Sequence, residues 1–142
     1  MKSIQDVYDA FLGKLLEDEW LNWTEEEMER DWYSLYCAAI PNFKFPRVSL
    51  ELKNNFFVDK NVSNSEIQII ATYMKCEWLN RTILTWENVK PLYVERDFSQ
   101  ANLIDKLRSL LEREEKKALK LENLYYRSID GAPFDYTRLV GE

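Results

Sequence analysis

Ser63-Asn64-Ser65-Glu66-Ile67-Gln68-Ile69-Ile70-Ala71-Thr72-Tyr73-Met74-Lys75-Cys76-Glu77-Trp78-Leu79 is the stretch on which the fold turns. Ser63 with Glu66 three residues on is a capping box: the serine oxygen can accept a first-turn N–H while the carboxylate reaches back. Ile67, Ile70, Ala71, Met74, Trp78 and Leu79 then recur at three- and four-residue spacing, with Ile69, Tyr73 and Cys76 on a second flank. That period is helical. A helix apolar on two sides is buried on both, within a core or between subunits. It should end near Leu84, and residues 86–93, interrupted by Pro91, should be a short helix or a loop.

Downstream, Ser99 opens the longest element, which runs to about Arg127, about 29 residues or about 43 Å at 1.5 Å per residue. Ile104, Leu107, Leu111, Ala118, Leu121 and Tyr125 give the alternating three-four spacing of a packing seam. The seam breaks at Glu114, within Glu112-Arg113-Glu114-Glu115-Lys116-Lys117. Both ends of this helix should therefore be packed and its middle exposed on most sides. A helix of this length in a small domain is expected to project beyond it. Residues 128–142 follow, with Gly131 and Pro133 and the apolar anchors Phe134, Tyr136 and Leu139.

Upstream, Ser3 and Asp6 can start an amphipathic helix carrying Ile4, Val7, Tyr8, Phe11, Leu12 and Leu15, to about Leu16. Residues 17–23 look like a connection. Thr24 with Glu27 is a second capping box, and Glu25, Glu26 and Glu27 complement the positive end of the helix dipole. Met28, Trp32, Leu35, Tyr36 and Ala39 form its stripe, and Pro41 stops it. The period then changes. Val48, Leu50 and Leu52 alternate with polar residues, Asn54-Asn55 can turn, and Phe56-Phe57-Val58 follows. This is a short β-hairpin, which must lie on the helices or join a sheet made with neighbouring subunits, because a lone hairpin is marginal in water.

The expected fold class is therefore mainly α: a helical domain with one long C-terminal helix, a small β-hairpin and an extended C-terminal arm. Residues 1–127 form the single domain, with the hairpin at about 48–58 and the long helix at about 99–127, and residues 128–142 are a docking arm. The composition of the 142-residue chain agrees, with 46% apolar and 31% charged residues but only 3 Gly and 4 Pro. There are 5 Trp, 8 Tyr and 7 Phe. So much aromatic area in a small chain should leave some exposed on a single copy, which favours protein–protein contact.

There is no His. That removes Ser-His-Asp triads, Cys-His dyads and every His-ligated metal site. Carboxylates are many but consecutive, which suits a solvated helix face better than the facing pair of a glycosidase. Glu66, Glu77 and Asp97 could bind a metal only if they converged. Phosphate-cradling glycine motifs and calcium loops are absent, and no cofactor is expected. Cys37 and Cys76, inside apolar helical patterns, are expected to be buried free thiols.

The net charge is −6 and uneven: residues 1–31 carry ten acids against three bases, which leaves the remainder near neutrality. The acidic quarter is a solvated face, or a surface that meets a basic partner or repels DNA. Lys106, Arg108, Arg113, Lys116, Lys117 and Lys120 lie along the long helix among glutamates. They form a solvated surface, or one that meets the acidic quarter of a neighbouring copy. Lys2, Asp6 and Asp9 interrupt any apolar leader, and no run of about 20 apolar residues could span a membrane.

Glu66-Ile67-Gln68-Ile69-Ile70-Ala71, Met74, Glu77-Trp78-Leu79, Arg81, Glu87, Asp97-Phe98-Ser99-Gln100-Ala101-Asn102-Leu103, Leu107 and Tyr125-Tyr126-Arg127 together resemble a family of small virion proteins of tailed bacteriophages, encoded among the head and neck structural proteins. The resemblance covers roughly residues 63–127. It implies a non-enzymatic head–tail connector or adaptor, mostly helical, joining portal and tail as a homo-oligomeric ring of about twelve or six copies. Such a protein would be assembled in the bacterial host cytoplasm and found in the virion, with an acidic segment able to line a DNA channel. On that reading Ile67, Ile70, Met74 and Trp78 pack neighbours or core, and Phe134, Tyr136 and Leu139 anchor the arm. The alternatives are a phage-encoded interaction module, an inhibitor or assembly chaperone using its acidic N-terminal segment, and a His-free enzyme acting through carboxylates.

Overall fold

The computed structural model describes residues 1–15, 20, 22–89 and 97–127. In chain order these form α1 (Ile4–Leu12), α2 (Glu25–Ala39), a 3-10 turn (Ile40–Asn42), β1 (Leu52–Lys53), β2 (Phe56–Phe57), α3 (Asn64–Val89) and α4 (Asp97–Tyr126). The protein is mainly helical, with a small antiparallel hairpin and a long helix after it, as the sequence indicates. The expected arm, residues 128–142, lies outside the described residues.

α3 is the central element, and α1, α2 and α4 all pack against it. Glu66 accepts from the Ser63 N–H at 2.6 Å and from its hydroxyl at 2.8 Å, so the carboxylate half of the capping box forms. Ile67, Ile69, Ile70, Ala71, Met74 and Leu79 are all buried, and the second apolar flank is explained by three helical neighbours within one chain. The helix passes its expected end at Leu84 and continues to Val89. Residues 84–89 contain no breaker. The Thr82 and Thr85 hydroxyls donate to the carbonyls one turn back, at 2.9 Å each. The first residue unable to continue a helix is Pro91.

α4 runs antiparallel to α3, because their paired residues run in opposite order: Glu87 with Arg108, Lys75 with Glu114, and Tyr73 with Glu122. This corrects one expectation. The helix does not simply project, since the Tyr125 and Tyr126 hydroxyls near its end accept from the Arg47 and Phe45 N–H groups at 2.8 and 3.1 Å. Its middle is exposed on most sides, as expected, at residues 112, 113 and 115–117, but Glu114, the apparent break in the seam, is buried and paired with Lys75 at 3.1 Å. The seam continues through a charge supplied by the facing helix.

α1 starts with the Ser3 N–H donating to Asp6 at 2.8 Å and ends at Leu12, short of Leu16, where Gly13 takes the cap position. In α2 the Glu27 N–H donates to the Thr24 hydroxyl at 3.2 Å. Trp32, Leu35, Tyr36 and Ala39 are buried, and the helix gives way to the 3-10 turn around Pro41. Asp31 binds both Arg81 nitrogens, at 2.6 and 3.1 Å, and accepts from the Trp20 indole N–H at 2.7 Å, tying the connection before α2 to α3.

The hairpin ladder pairs Leu52 with Phe57 and Lys53 with Phe56, shorter than the expected 48–58. Asn54 and Asn55 both have positive φ, 54° and 68°, as a two-residue type I′ turn requires. Its company comes from the same chain. The Ile4 N–H donates to the Asn55 carbonyl at 2.8 Å, the Phe57 N–H to the Lys2 carbonyl at 3.0 Å, and Ser3 bridges to Phe56. No neighbouring subunit is needed to complete it. Replacing Asn55 by Val should cost about 1–2 kcal/mol, because a β-branched residue is strained in the left-handed region, whereas Asn55→Gly should be neutral or slightly stabilising. Urea unfolding of the two variants reads the difference.

Candidate functional site

The sequence candidates fall into two groups. Ile67, Ile70, Met74 and Trp78 are buried in the core of a single chain, so of the two roles open to them, core packing is the one this structure shows. Phe134, Tyr136 and Leu139 lie outside the described residues. Among the described residues most aromatics are hidden too: Trp20, Trp32 and Trp78 are buried, while Trp23, Tyr33, Phe45, Phe56 and Tyr126 are exposed.

Buried polar groups gather along α3 and α4. Glu122 accepts from the Tyr73 hydroxyl at 2.5 Å and from the Tyr126 hydroxyl. Glu66 is taken up by Ser63, and Glu77 accepts from the Asn42 amide at 3.1 Å. Glu66 and Glu77 thus serve different partners, and the side chain of Asp97 is outside the described set. No group of three metal-capable side chains occurs among the described residues. Trp32 Nε1 and Glu114 Oε2 are buried without a hydrogen bond. Glu114 nevertheless sits among cations. Lys14, held below the ordinary lysine value by burial and by Lys117, feels the opposing pull of Glu114.

Cys76 is buried and free, but Cys37, also free, is exposed, against expectation. The α2 stripe turns residues 32, 35, 36 and 39 inward, and residue 37 falls on the outer face. Burial pushes the Cys76 thiol from 9.0 up to about 12, helped by Glu115 and Glu114. Burial likewise raises the Tyr36 and Tyr126 hydroxyls from 10.0 to about 12, with Glu122 adding to the latter. All three groups hold their protons more tightly when folded. Their contribution is intact below the unfolded values and is lost as pH rises through the folded ones. Thermal melts should therefore show little change up to about pH 8.5 and a falling midpoint between about pH 9 and pH 12. In native protein at pH 8 a thiol reagent should modify Cys37 and spare Cys76.

Two of the exposed surfaces among the described residues combine apolar side chains with charge of one predominant sign. The first is a groove of about 660 Å³ between α1, α2 and the hairpin turn. Its walls are aromatic, from Tyr8, Tyr33 and Phe56, and its rim bears Glu26, Glu29 and Arg30. Tyr33 and Phe56 are about half exposed, at 51% and 48%. The groove owes its shape to the capping of α2, which places Glu26 and Glu29 on its first turns, and to the hairpin docked on the N-terminal chain.

The second surface is the side of α4 turned away from α3. Lys116, Leu119, Lys120, Asn123, Leu124 and Arg127 line a shallow depression there. Leu119 and Leu124 are exposed at 55% and 54%. No acid is among its lining residues. Helix periodicity assigns 118, 121, 122 and 125 to the buried side, which leaves this face for solvent or a partner. The sequence reading had the bases of α4 but not the two leucines between them. It had the glutamates of α2 but not the aromatic groove, whose walls come from segments far apart in the chain.

Among the described residues no helix is long and apolar enough to cross a membrane. No protein-family model, curated protein or solved structure matches the chain. The fold and its two surfaces define a small helical protein with a self-contained core and two apolar patches of opposite charge.

Proposed function

We propose that this chain is a non-enzymatic structural protein working through its contacts with other proteins, as a head–tail connector or adaptor between portal and tail in a tailed-phage virion. The observation that carries the reading is the pair of exposed apolar surfaces, one acidic and one basic, on a chain whose core is already complete. Isolated apolar side chains on a surface need no explanation, but clustered ones rimmed by charge mark interaction sites. Two different faces suit the head-to-tail contacts that close a ring. The resemblance of residues 63–127 to phage neck proteins adds the setting. The test is mass spectrometry and electron microscopy of purified particles: the protein should be present in stoichiometric, ring-like copy number at the neck. A protein made in quantity yet missing from every particle would overturn the reading.

A second reading keeps the surfaces and changes the partner. Glu25, Glu26, Glu27 and Glu29 are all exposed on the first turns of α2, which suits capture of one basic protein by an inhibitor or assembly chaperone. Neutralising the four should then abolish partner capture.

A further inference from the structure

We infer that the acidic groove of one copy receives the α4 face of a second copy, with Lys116 and Lys120 meeting Glu26 and Glu29 and with Leu119 and Leu124, on either side of those lysines, meeting the groove's aromatic walls. The inference rests on the assembly reading above and names the surfaces it requires. Three observations converge on it. The charges are complementary: the α4 face is lined by Lys116, Lys120 and Arg127 with no acid, and the groove by Glu26 and Glu29 with one base. Both surfaces carry apolar side chains to bury, two half-exposed leucines on the α4 face and the aromatic walls of a groove of about 660 Å³.

The third observation is placement. No α4 residue lines the groove, and no residue of α1, α2 or the hairpin lines the α4 face. One copy can therefore offer its groove and its helix face to other copies at once. Successive contacts of this kind generate a ring or a filament, and two made reciprocally generate a dimer. Because the charges lie at an exposed rim, association should weaken as ionic strength rises.

Charge exchange tests the contact. Glu26→Lys/Glu29→Lys reverses the groove and Lys116→Glu/Lys120→Glu reverses the face. All four side chains are exposed, and circular dichroism checks that each variant keeps the fold. Sedimentation velocity on the full chain should show assembly by the wild type. Each variant alone should lose it, because each now opposes like charges. An equimolar mixture of the two variants should recover it, as should a chain carrying all four changes. A reversed-groove variant that assembles as well as the wild type overturns the inference while leaving self-assembly standing. Two silent variants whose mixture also stays silent overturn it as well. A wild type that is monomeric at every concentration removes the self-contact, and the neck assignment is then judged separately by the particle measurement.

Discussion

Phe57→Ala should lower the unfolding free energy by about 3–5 kcal/mol, a large part of the 5–15 kcal/mol available to a domain of this size. The ring is fully buried within the main core cluster, although it sits on a strand of only two residues. Its backbone N–H also donates to the Lys2 carbonyl, so the side chain anchors the hairpin where the N-terminal chain crosses it. Removing the ring leaves a cavity under that crossing. The adjacent Phe56, about half exposed, provides the control: Phe56→Ala should change stability by less than about 1 kcal/mol. Urea unfolding followed by tryptophan fluorescence measures both, and equal losses for the two would contradict the assigned register.

Lys75→Met should cost about 3 kcal/mol, because it leaves the Glu114 carboxylate buried without its ion-pair partner. One oxygen of that carboxylate already lacks a hydrogen bond. Glu114→Leu should cost less, since the lysine stem can carry its ammonium to solvent. The double variant Lys75→Met/Glu114→Leu should return to within about 1 kcal/mol of the wild type or exceed it, as an apolar pair completes the seam. The double-mutant cycle isolates the coupling. Lys14, close enough to feel Glu114, softens the single loss without cancelling it. A Lys75→Met protein as stable as the wild type would show that the pair is not held in the interior.

The elements readable in the sequence were those whose cause is local. Ser63 with Glu66 and Thr24 with Glu27 start helices through contacts three residues apart, and Asn54-Asn55 carries its own turn chemistry. What stayed hidden depends on partners distant in sequence. The burial of Glu114 is set by Lys75 on another helix. The choice between core and subunit interface for Ile67, Ile70, Met74 and Trp78 needed the positions of α1, α2 and α4. The groove was invisible for the same reason: residues near 3, 30 and 55 must first be brought together. The exposure of Leu119 and Leu124 is not legible in the sequence, because leucines in a helical run are expected to face inward.

The central place of α3 bears on how the chain comes off the ribosome. α1 and α2 emerge first, yet the apolar stripes of both await a helix that is complete only at Val89. Nascent chains shorter than this should stay open to proteases and chaperones. The compact state should arise late in synthesis, when α3 clears the exit tunnel and gathers the earlier helices around it.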